Sequence, residues 1–455
     1  MTPWADAESR TGEPSLTERL VQLLGRPVGP AARRTAALHV LDWIGTVWAA
    51  SVMVEGRAFC SFGCTRMGGP SVVAGCGRHE AEVAALVNGS LAMSLEFDDL
   101  HMGARVHPGP VVISAALACA EREGVTGERF LDAVVRGYEA VIRLGYAFGP
   151  GHRSHWHSTA TCGCLGAAAA AASLMGLDAA RAVDAIGNAG TQASGLWQCR
   201  LDGALSKPLH AGRAAQSGLL AADLALHGLT GPFRILEGEH GMLAAMCPDP
   251  APEALLADPE ADWLIGQTAF KAWPSCAYTH SVIEAVLDLR RQVAPEEVGE
   301  ITVTTYPEAI EFADCAQPAT ASAARFSIQH CAAVAWLSGG LALEDLEPAR
   351  IDEPAVRELR RRVNVRAGSV EGCNGTDPWG AEVVVADRSG RGFSAVCRHP
   401  RGMPENPLSA AAIEAKSFSL LLSAGLPEDC AHAVIASAIA LAAGGSVGAV
   451  TEALE

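Results

Sequence analysis

Long segments in which Ala, Leu and Val recur at helical spacing dominate the first 265 residues of the chain. Gly, Pro or Asp separates each segment from the next, as expected where helices end. The segments cover residues 15–24, 31–50, 80–95, 127–148, 156–177, 178–193 and 206–227. Aromatic residues are only 5% of the chain, and an Ala-rich, aromatic-poor composition favours closely packed helices over β-sandwiches or barrels. The sequence therefore predicts a mainly α fold.

The pattern changes after about residue 265 and returns near the end of the chain. Alternation of apolar and polar residues predicts strands at 300–306, 380–387 and 392–398. Helical spacing predicts helices at 327–337 and 353–363. From Pro407 onward the Ala/Leu pattern resumes. Because a single core rarely exceeds roughly 250–300 residues, a 455-residue chain is expected to form two domains. We expect a large all-helical domain of residues 1–265 plus 405–455, and a smaller inserted α+β domain of residues 266–404.

Charge, cysteine usage and apolar runs exclude several classes of protein. A formal net charge of −17 argues against nucleic-acid and anionic-membrane partners. The fourteen cysteines form no repeating framework, which is typical of reduced thiols and predicts a cytoplasmic protein. Neither a Cys-x-x-Cys pair nor a glycine-rich dinucleotide motif is present, so we expect no metal and no cofactor. The polar N-terminus lacks a signal-peptide core, and the longest apolar runs are shorter than the roughly 20 residues of a membrane span.

A polar stretch between two apolar helical patterns is the first candidate site. Within residues 95–110 it contains Glu96, Asp98, Asp99, His101 and His107. Such groups are costly to desolvate unless they pair with one another or face a wet cleft. The alternative is a helix C-cap followed by a solvated polar loop.

Lysine is rare in this chain, since only Lys207, Lys271 and Lys416 occur among the 34 basic residues. A chain that otherwise uses arginine is expected to keep lysine where a compact ammonium is needed. Lys207 lies one turn from His210 at the start of an Ala-rich segment, and Lys271 lies where the two domains are predicted to meet. Domain junctions favour small-molecule sites. We expect Lys416 to be a solvated or snorkelling residue, and the alternative for Lys207 and Lys271 is that both are surface residues.

Three histidines lie close together just before another Ala-rich helical segment. Because His155 and His157 point apart on a helix, a shared metal would need an extended backbone. His157 at the helix entrance is better suited to acid–base chemistry or to binding an anion. His152 and His155 are equally well explained as structural residues.

Several segments, taken in order, resemble the MmgE/PrpD family. They are Phe97-Asp-Asp with His107-Pro, Trp156-His157-x-Thr159-x-x-x-Gly163, Gln192-x-Ser194-Gly195, Lys207-Pro-x-His210-x-Gly212-x-Ala214-Ala215, Leu229-Thr-Gly231, Glu237-Gly238 and Lys271-x-Trp-Pro-x-x-x-x-Thr-His280. The family includes 2-methylcitrate dehydratase, cis-aconitate decarboxylase and iminodisuccinate epimerase. The resemblance implies a helical domain with a smaller α+β lid, a homodimer, and chemistry without a metal or cofactor.

The resemblance also implies a pocket for a small di- or tricarboxylate. It falls on the Glu96–Asp99 segment, His107, His157, Lys207, Lys271, Cys276, His280 and His330. Three positions depart from the decarboxylase branch, in which threonine, histidine and tyrosine stand where this chain has Leu100, Cys276 and His330. The chemistry common to the family, removal of a proton next to a carboxylate, does not depend on these positions.

These observations give an expected mechanism. Lys207 and Lys271 clamp substrate carboxylates and stabilise developing charge, and His157 and His107 transfer protons, either of them being the base. The Asp98/Asp99 pair orients His101 or His107. We expect a cofactor-independent lyase similar to 2-methylcitrate dehydratase, with a cis-aconitate-type decarboxylase or a dicarboxylate epimerase as the alternative. A non-catalytic dimeric helical binding protein is the alternative from another class.

Overall fold

The computed structural model describes residues 12–374 and 379–453, which form two compact units. The first unit contains residues 12–94, Asp98–Phe270 and residues 409–453, and the second contains Leu95–Phe97 and Lys271–Leu408. Most of the described chain is helical, which confirms the mainly α fold. The outer ends of the predicted helical domain, residues 1–11 and 454–455, lie outside the described residues. The domain boundaries and the lid arrangement stay predictions.

Helices build almost all of the first unit, and local capping explains where several begin. Ser15, Thr126, Asp178 and Ser409 each accept a hydrogen bond from a backbone N–H of the first turn. The α-helices are Leu16–Leu24, Pro30–Val52, Arg57–Cys64, Ala81–Ser94, Pro108–Glu123, Gly127–Ala147, Ser158–Met175, Ala179–Gly190, Gln198–Leu201, Lys207–Leu226, Met242–Met246, Ala410–Ser423, Glu428–Ala440 and Val447–Glu452. A small hairpin of strands Met67–Val73 and Gly77–His79 accompanies them.

Small residues let the central helices approach closely. A Cβ atom added to Gly212, in the helix Lys207–Leu226, would clash with the carbonyl oxygen of Leu86 in the helix Ala81–Ser94. The helix Ser158–Met175 is long and apolar enough to cross a membrane by length and composition, and 89% of it is buried inside the protein. That burial is typical of a core helix, and the Ala-rich composition is what permits it.

The second unit is built on a four-stranded sheet in the order Val363–Ala367, Val298–Thr305, Ala381–Asp387, Gly392–Cys397. The last two strands pair as an antiparallel hairpin, which confirms that prediction. The first pair is parallel, with Ile301 opposite Val363. Helices pack with this sheet, and they are His280–Leu289, Pro307–Ala313, Ala321–Arg325, Ile328–Ser338, Pro348–Ile351 and Pro354–Arg360.

One prediction for this unit needs correction. Helical spacing predicted a helix through residue 363, but the helix Pro354–Arg360 ends earlier and the chain continues as a strand. Val363 is buried against the neighbouring strand, so pairing with residues about sixty positions away overrides the local pattern.

Candidate active site

Three helices of the first unit begin at predicted site residues. His107 precedes the helix Pro108–Glu123, His157 precedes the helix Ser158–Met175, and Lys207 is the first residue of the helix Lys207–Leu226. The backbone N–H of His107 donates to Thr159 Oγ1 at 3.1 Å, which ties the first two helix starts together. The start of a helix carries unsatisfied N–H groups and a partial positive charge. Such an arrangement suits an anionic ligand.

His107 is held by a carboxylate. Its Nδ1 lies 2.7 Å from Asp98 Oδ2, and the two side chains are 15% and 3% exposed. With the proton of Nδ1 donated to Asp98, Nε2 is the nitrogen left for a ligand. The carboxylate fixes the orientation of the ring and lies close enough to compensate a positive charge on it.

His157 has a different environment. Its backbone N–H donates to the carbonyl of Gly195 at 2.9 Å, and its ring lies 4.5 Å from the Trp197 ring. Its Nδ1 is 3.3 Å from Nδ1 of His210. Burial lowers the pKa of His157 well below its ordinary value, and the positive charge of Lys207 lowers it further. The ring is therefore neutral at neutral pH and able to accept a proton. We call Asp98, His107, His157, Lys207 and His210 the site cluster.

The neighbouring Asp99 serves a different group, which we call the core cluster: His39, Asp42, Asp99, Tyr138 and Lys416. Tyr138 donates to Asp99 Oδ2 at 2.5 Å, and His39 Nδ1 lies 2.8 Å from the same oxygen. The backbone N–H of Gly109 donates to Asp99 Oδ1 at 2.9 Å. Burial raises the pKa of Tyr138 well above its ordinary value, and the charge of Asp99 adds to the shift. Tyr138 therefore stays a donor.

Two corrections follow from the core cluster. Lys416 was expected to be solvated or to snorkel to water, but its side chain is only 9% exposed and its Nζ lies 2.8 Å from the buried Asp42 Oδ1. The prediction that the Asp98/Asp99 pair orients His101 or His107 holds only for Asp98 and His107. His101 is buried, and its Nδ1 accepts the backbone N–H of Ala104 at 3.1 Å. Its Nε2 has no hydrogen-bond partner within the described part of the chain.

In the second unit, Lys271 is buried against Glu96. Its Nζ donates to the Glu96 carbonyl at 3.0 Å and to Glu96 Oε2 at 3.3 Å. Glu96 has a positive φ of 52°, a conformation that a residue with a Cβ adopts only when its surroundings hold it there. Lys271 supplies that support. The ammonium that was predicted to clamp substrate thus has a protein carboxylate and a carbonyl as ligands.

The remaining predicted site residues also lie in the second unit. Cys276 and His280 are buried, and His280 Nε2 lies 3.3 Å from the Ser275 carbonyl. His330 is fully buried, with Nε2 2.9 Å from the Asp345 carbonyl and Nδ1 3.4 Å from Arg360 Nη1. Both ring nitrogens of His330 have protein partners, which favours a packing role over the predicted substrate contact.

The histidines near His157 do not converge. His152 is buried with its nitrogens against Thr161 Oγ1 and the Met246 carbonyl, whereas His155 is exposed. Across residues 12–374 and 379–453, no group of three or more His, Cys, Asp or Glu side chains is arranged to hold a metal ion.

Sequence reasoning missed His39, Asp42 and Tyr138. A usable signal existed, because His39 and Asp42 are spaced i, i+3 in an otherwise apolar segment. Two polar groups on one face of a buried helix need partners.

Comparison with known families agrees with this architecture. A model of the MmgE/PrpD N-terminal domain matches residues 16–255, and a model of the MmgE/PrpD C-terminal domain matches residues 273–439. The chain belongs to the MmgE/PrpD family.

Relatives within this family carry related names. A cis-aconitate decarboxylase-like protein of Aspergillus oryzae is 28% identical over 71% of this chain and 72% of its own length. The human cis-aconitate decarboxylase is 30% identical over 62% of this chain, and the chain spans 60% of the human protein. A cis-aconitate decarboxylase of Aspergillus terreus is 30% identical over 46% of this chain and 45% of its own length. A family enzyme is therefore the expected class, and its reaction is a matter for proposal.

Proposed function

We propose that the protein is a lyase that decarboxylates a small polycarboxylate of the cis-aconitate type. The observation that carries the proposal is the meeting of His107, His157 and Lys207 at helix starts. The names of the relatives favour decarboxylation over dehydration, which was the leading expectation from the sequence. In this reaction the C–C bond to the leaving carboxylate breaks and its electron pair stays on the substrate. The His107–Asp98 pair then supplies the proton that forms a new C–H bond.

Dehydration of a citrate-like tricarboxylate is the second candidate, and the contrast between the two histidines favours it. Dehydration needs a base for the C–H proton and an acid for the departing hydroxyl. Neutral His157 is suited to be the base, and His107 beside Asp98 is suited to be the acid. Lys207 stabilises the charge that develops on the substrate carboxylate in either reaction. Epimerisation uses the same removal of a proton.

A substrate panel distinguishes these reactions. The protein is incubated with cis-aconitate, 2-methylcitrate, citrate and an aspartate-derived dicarboxylate in deuterium oxide with EDTA. Decarboxylation releases carbon dioxide and places deuterium on one carbon of the product, whereas dehydration produces enoate absorbance without gas. Epimerisation changes the optical rotation and exchanges one C–H hydrogen for deuterium, with neither gas nor enoate absorbance. Binding without any turnover would favour the non-catalytic binding protein.

We also propose a homodimer, as the resemblance implies, and a location in the cytoplasm, as the cysteine usage predicts. Four leucines just before and within the start of the helix Lys207–Leu226 support an association face, since Leu196, Leu201, Leu205 and Leu209 are 44–72% exposed. Clustered exposed apolar residues commonly mark interaction surfaces. A monomer in sedimentation at micromolar concentration would contradict the dimer.

A further inference from the structure

The contact between His157 and His210 has a consequence for catalysis. Their Nδ1 atoms are 3.3 Å apart, and the rings are tilted by 54° with centroids separated by 5.5 Å. A hydrogen bond between two Nδ1 atoms contains a single proton, because two N–H groups would repel and two lone pairs have no proton to share. The protonation of one ring therefore dictates that of the other.

The surrounding backbone holds this contact in place. Gly195 has a φ of +116°, and a Cβ atom at this position would lie 2.9 Å from Ala160 Cβ and 3.4 Å from the His210 ring. The Gly195 carbonyl accepts the backbone N–H of His157 at 2.9 Å. One glycine thus makes room for one histidine and anchors the other. The Trp197 ring packs on His157 at 4.5 Å.

The charges around the pair favour one of the two arrangements. Burial lowers the pKa of His210, and Lys207 lowers it further, so both rings are neutral. The groups that act most strongly on His157 are Lys207, His210, His107 and Arg153, all of them basic. Because Nδ1 of His157 is engaged by His210, Nε2 is the ring nitrogen left for a ligand. Positive surroundings favour a lone pair over an N–H on that nitrogen.

We propose that His210 is a positioning residue whose Nδ1 accepts the Nδ1–H of His157 and so keeps His157 Nε2 unprotonated. The proposal rests on the second candidate reactions of the proposed function, dehydration and epimerisation, in which His157 accepts a proton from the substrate. In that step the substrate C–H bond breaks, an N–H bond forms at His157 Nε2, and the electron pair stays on the substrate carbon. The positive charge that His157 acquires is shared with His210 through the Nδ1–H.

Two variants of His210 separate this role from packing. His210→Phe keeps a ring of similar size but removes the acceptor, and His210→Asn places an amide oxygen near the position of Nδ1. We expect His210→Phe to lower kcat by about 10- to 100-fold, as for other residues that orient a functional histidine, with KM nearly unchanged. His210→Asn should recover most of this loss. Full activity of His210→Phe, or equal losses in the two variants, would overturn the proposal.

A spectroscopic readout tests the tautomer without any substrate. Protein labelled with nitrogen-15 in its histidines is studied by NMR near neutral pH, and the His157 signals are assigned by their absence in His157→Gln. We expect a protonated Nδ1 and a bare Nε2 on His157, and a loss of this preference in His210→Phe. A protonated Nε2 in the unaltered protein would contradict the inference. If the tautomer is as expected but no polycarboxylate is turned over, the proposed function fails while the role of His210 stands.

Discussion

Asp98 and Asp99 are adjacent in sequence but bind different partners in different surroundings. Asp98 binds the ring of His107, which is 15% exposed at the start of a helix. Asp99 binds His39, Tyr138 and the backbone of Gly109, all of them buried. A small cavity is lined by both aspartates, together with His39 and Asp42 of the core cluster. Because each carboxylate faces its own set of donors, activity and stability should respond separately to changes in the site cluster and the core cluster.

The largest effect is expected at His157. Removal of a proton-transferring side chain commonly costs 10²–10⁴ in rate, so in a reaction that begins with loss of a C–H proton His157→Gln should lower kcat about a thousandfold while KM changes little. Steady-state kinetics with the substrate identified by the panel provides the measurement. His155→Gln is the matched control, because His155 is exposed two residues away and should retain full activity. A loss below about tenfold in His157→Gln would remove this residue from the proton-transfer step.

Lys416 tests the core cluster. Breaking a buried ion pair by removing one partner typically costs 3–5 kcal/mol, and we expect Lys416→Met to lose about 3 kcal/mol of unfolding free energy in denaturant titrations. Burial raises the pKa of Asp42 and Lys416 opposes that shift, so without Lys416 the pKa rises further. A raised carboxyl pKa costs stability as the pH rises from the ordinary value of the unfolded chain to the raised value, so the deficit should grow with pH over that interval and stay constant above it. The double variant Asp42→Asn/Lys416→Met should recover much of the loss.

Lys207, in contrast to Lys416, is expected to affect activity and not stability. A guanidinium is longer and planar, and a misplacement of about 1 Å can cost on the order of a hundredfold in rate. Lys207→Arg should therefore lower kcat by about that factor with an unchanged Tm. Arg213→Lys, an exposed charge-conserving change on the same helix, should alter neither quantity. Near-normal kinetics of Lys207→Arg would mean that Lys207 is only a surface residue.

The two aspartates themselves give a paired test. Asp98→Asn should lower kcat by about tenfold to a hundredfold, because an amide no longer compensates charge on His107, and its stability should be nearly unchanged. Asp99→Asn should cost about 2 kcal/mol of unfolding free energy, since Tyr138 and the Gly109 N–H lose a charged acceptor and His39 loses a nearby carboxylate. Kinetics and denaturant unfolding are measured on both proteins. Equal losses of activity in the two variants would refute the division into two clusters.

The smallest effect is a dependence of stability on pH. Burial lowers the pKa of His101 and of His330 to about 4, below the ordinary value of about 6.5 for histidine. The unfolded chain therefore binds more protons between these values, and stability falls as the pH decreases from 6.5 toward 4. Each histidine should cost about 2 kcal/mol between pH 8 and pH 5. His101→Gln should reduce the slope of unfolding free energy against pH in this range.

The local signals in the sequence were sufficient for most helices. Ser15, Asp178 and Ser409 cap helices that begin at the next residue, and the apolar period identifies the buried faces. The strand Val363–Ala367 escaped prediction because it pairs in parallel with a strand about sixty residues earlier. No local pattern contains that partner.

The site residues also divide into those that the sequence predicted and those that it did not. The sequence identified His107, His157 and Lys207 because their residue types stand out beside helix starts. The close approach of Gly195 to the His210 ring explains the glycine of the segment Gln192-x-Ser194-Gly195. The burial of Lys416 was not predicted, because the lysine lies among apolar residues in its own helix and its partner Asp42 is near the other end of the chain. The partners of Asp99 were missed for the same reason, since His39 and Tyr138 come from two different helices.

The helix Ala410–Ser423 has a consequence for how the chain folds during synthesis. Its Lys416 pairs with Asp42, and its Ser417 Oγ donates to the Leu41 carbonyl at 3.1 Å. The helix Pro30–Val52 therefore lacks its cation and part of its packing until residue 417 has emerged from the ribosome. At the usual pace of translation, roughly 5–20 residues per second, that interval lasts tens of seconds. During it Asp42 stays hydrated or protonated, and the first unit can be completed only after residue 417 has been synthesised.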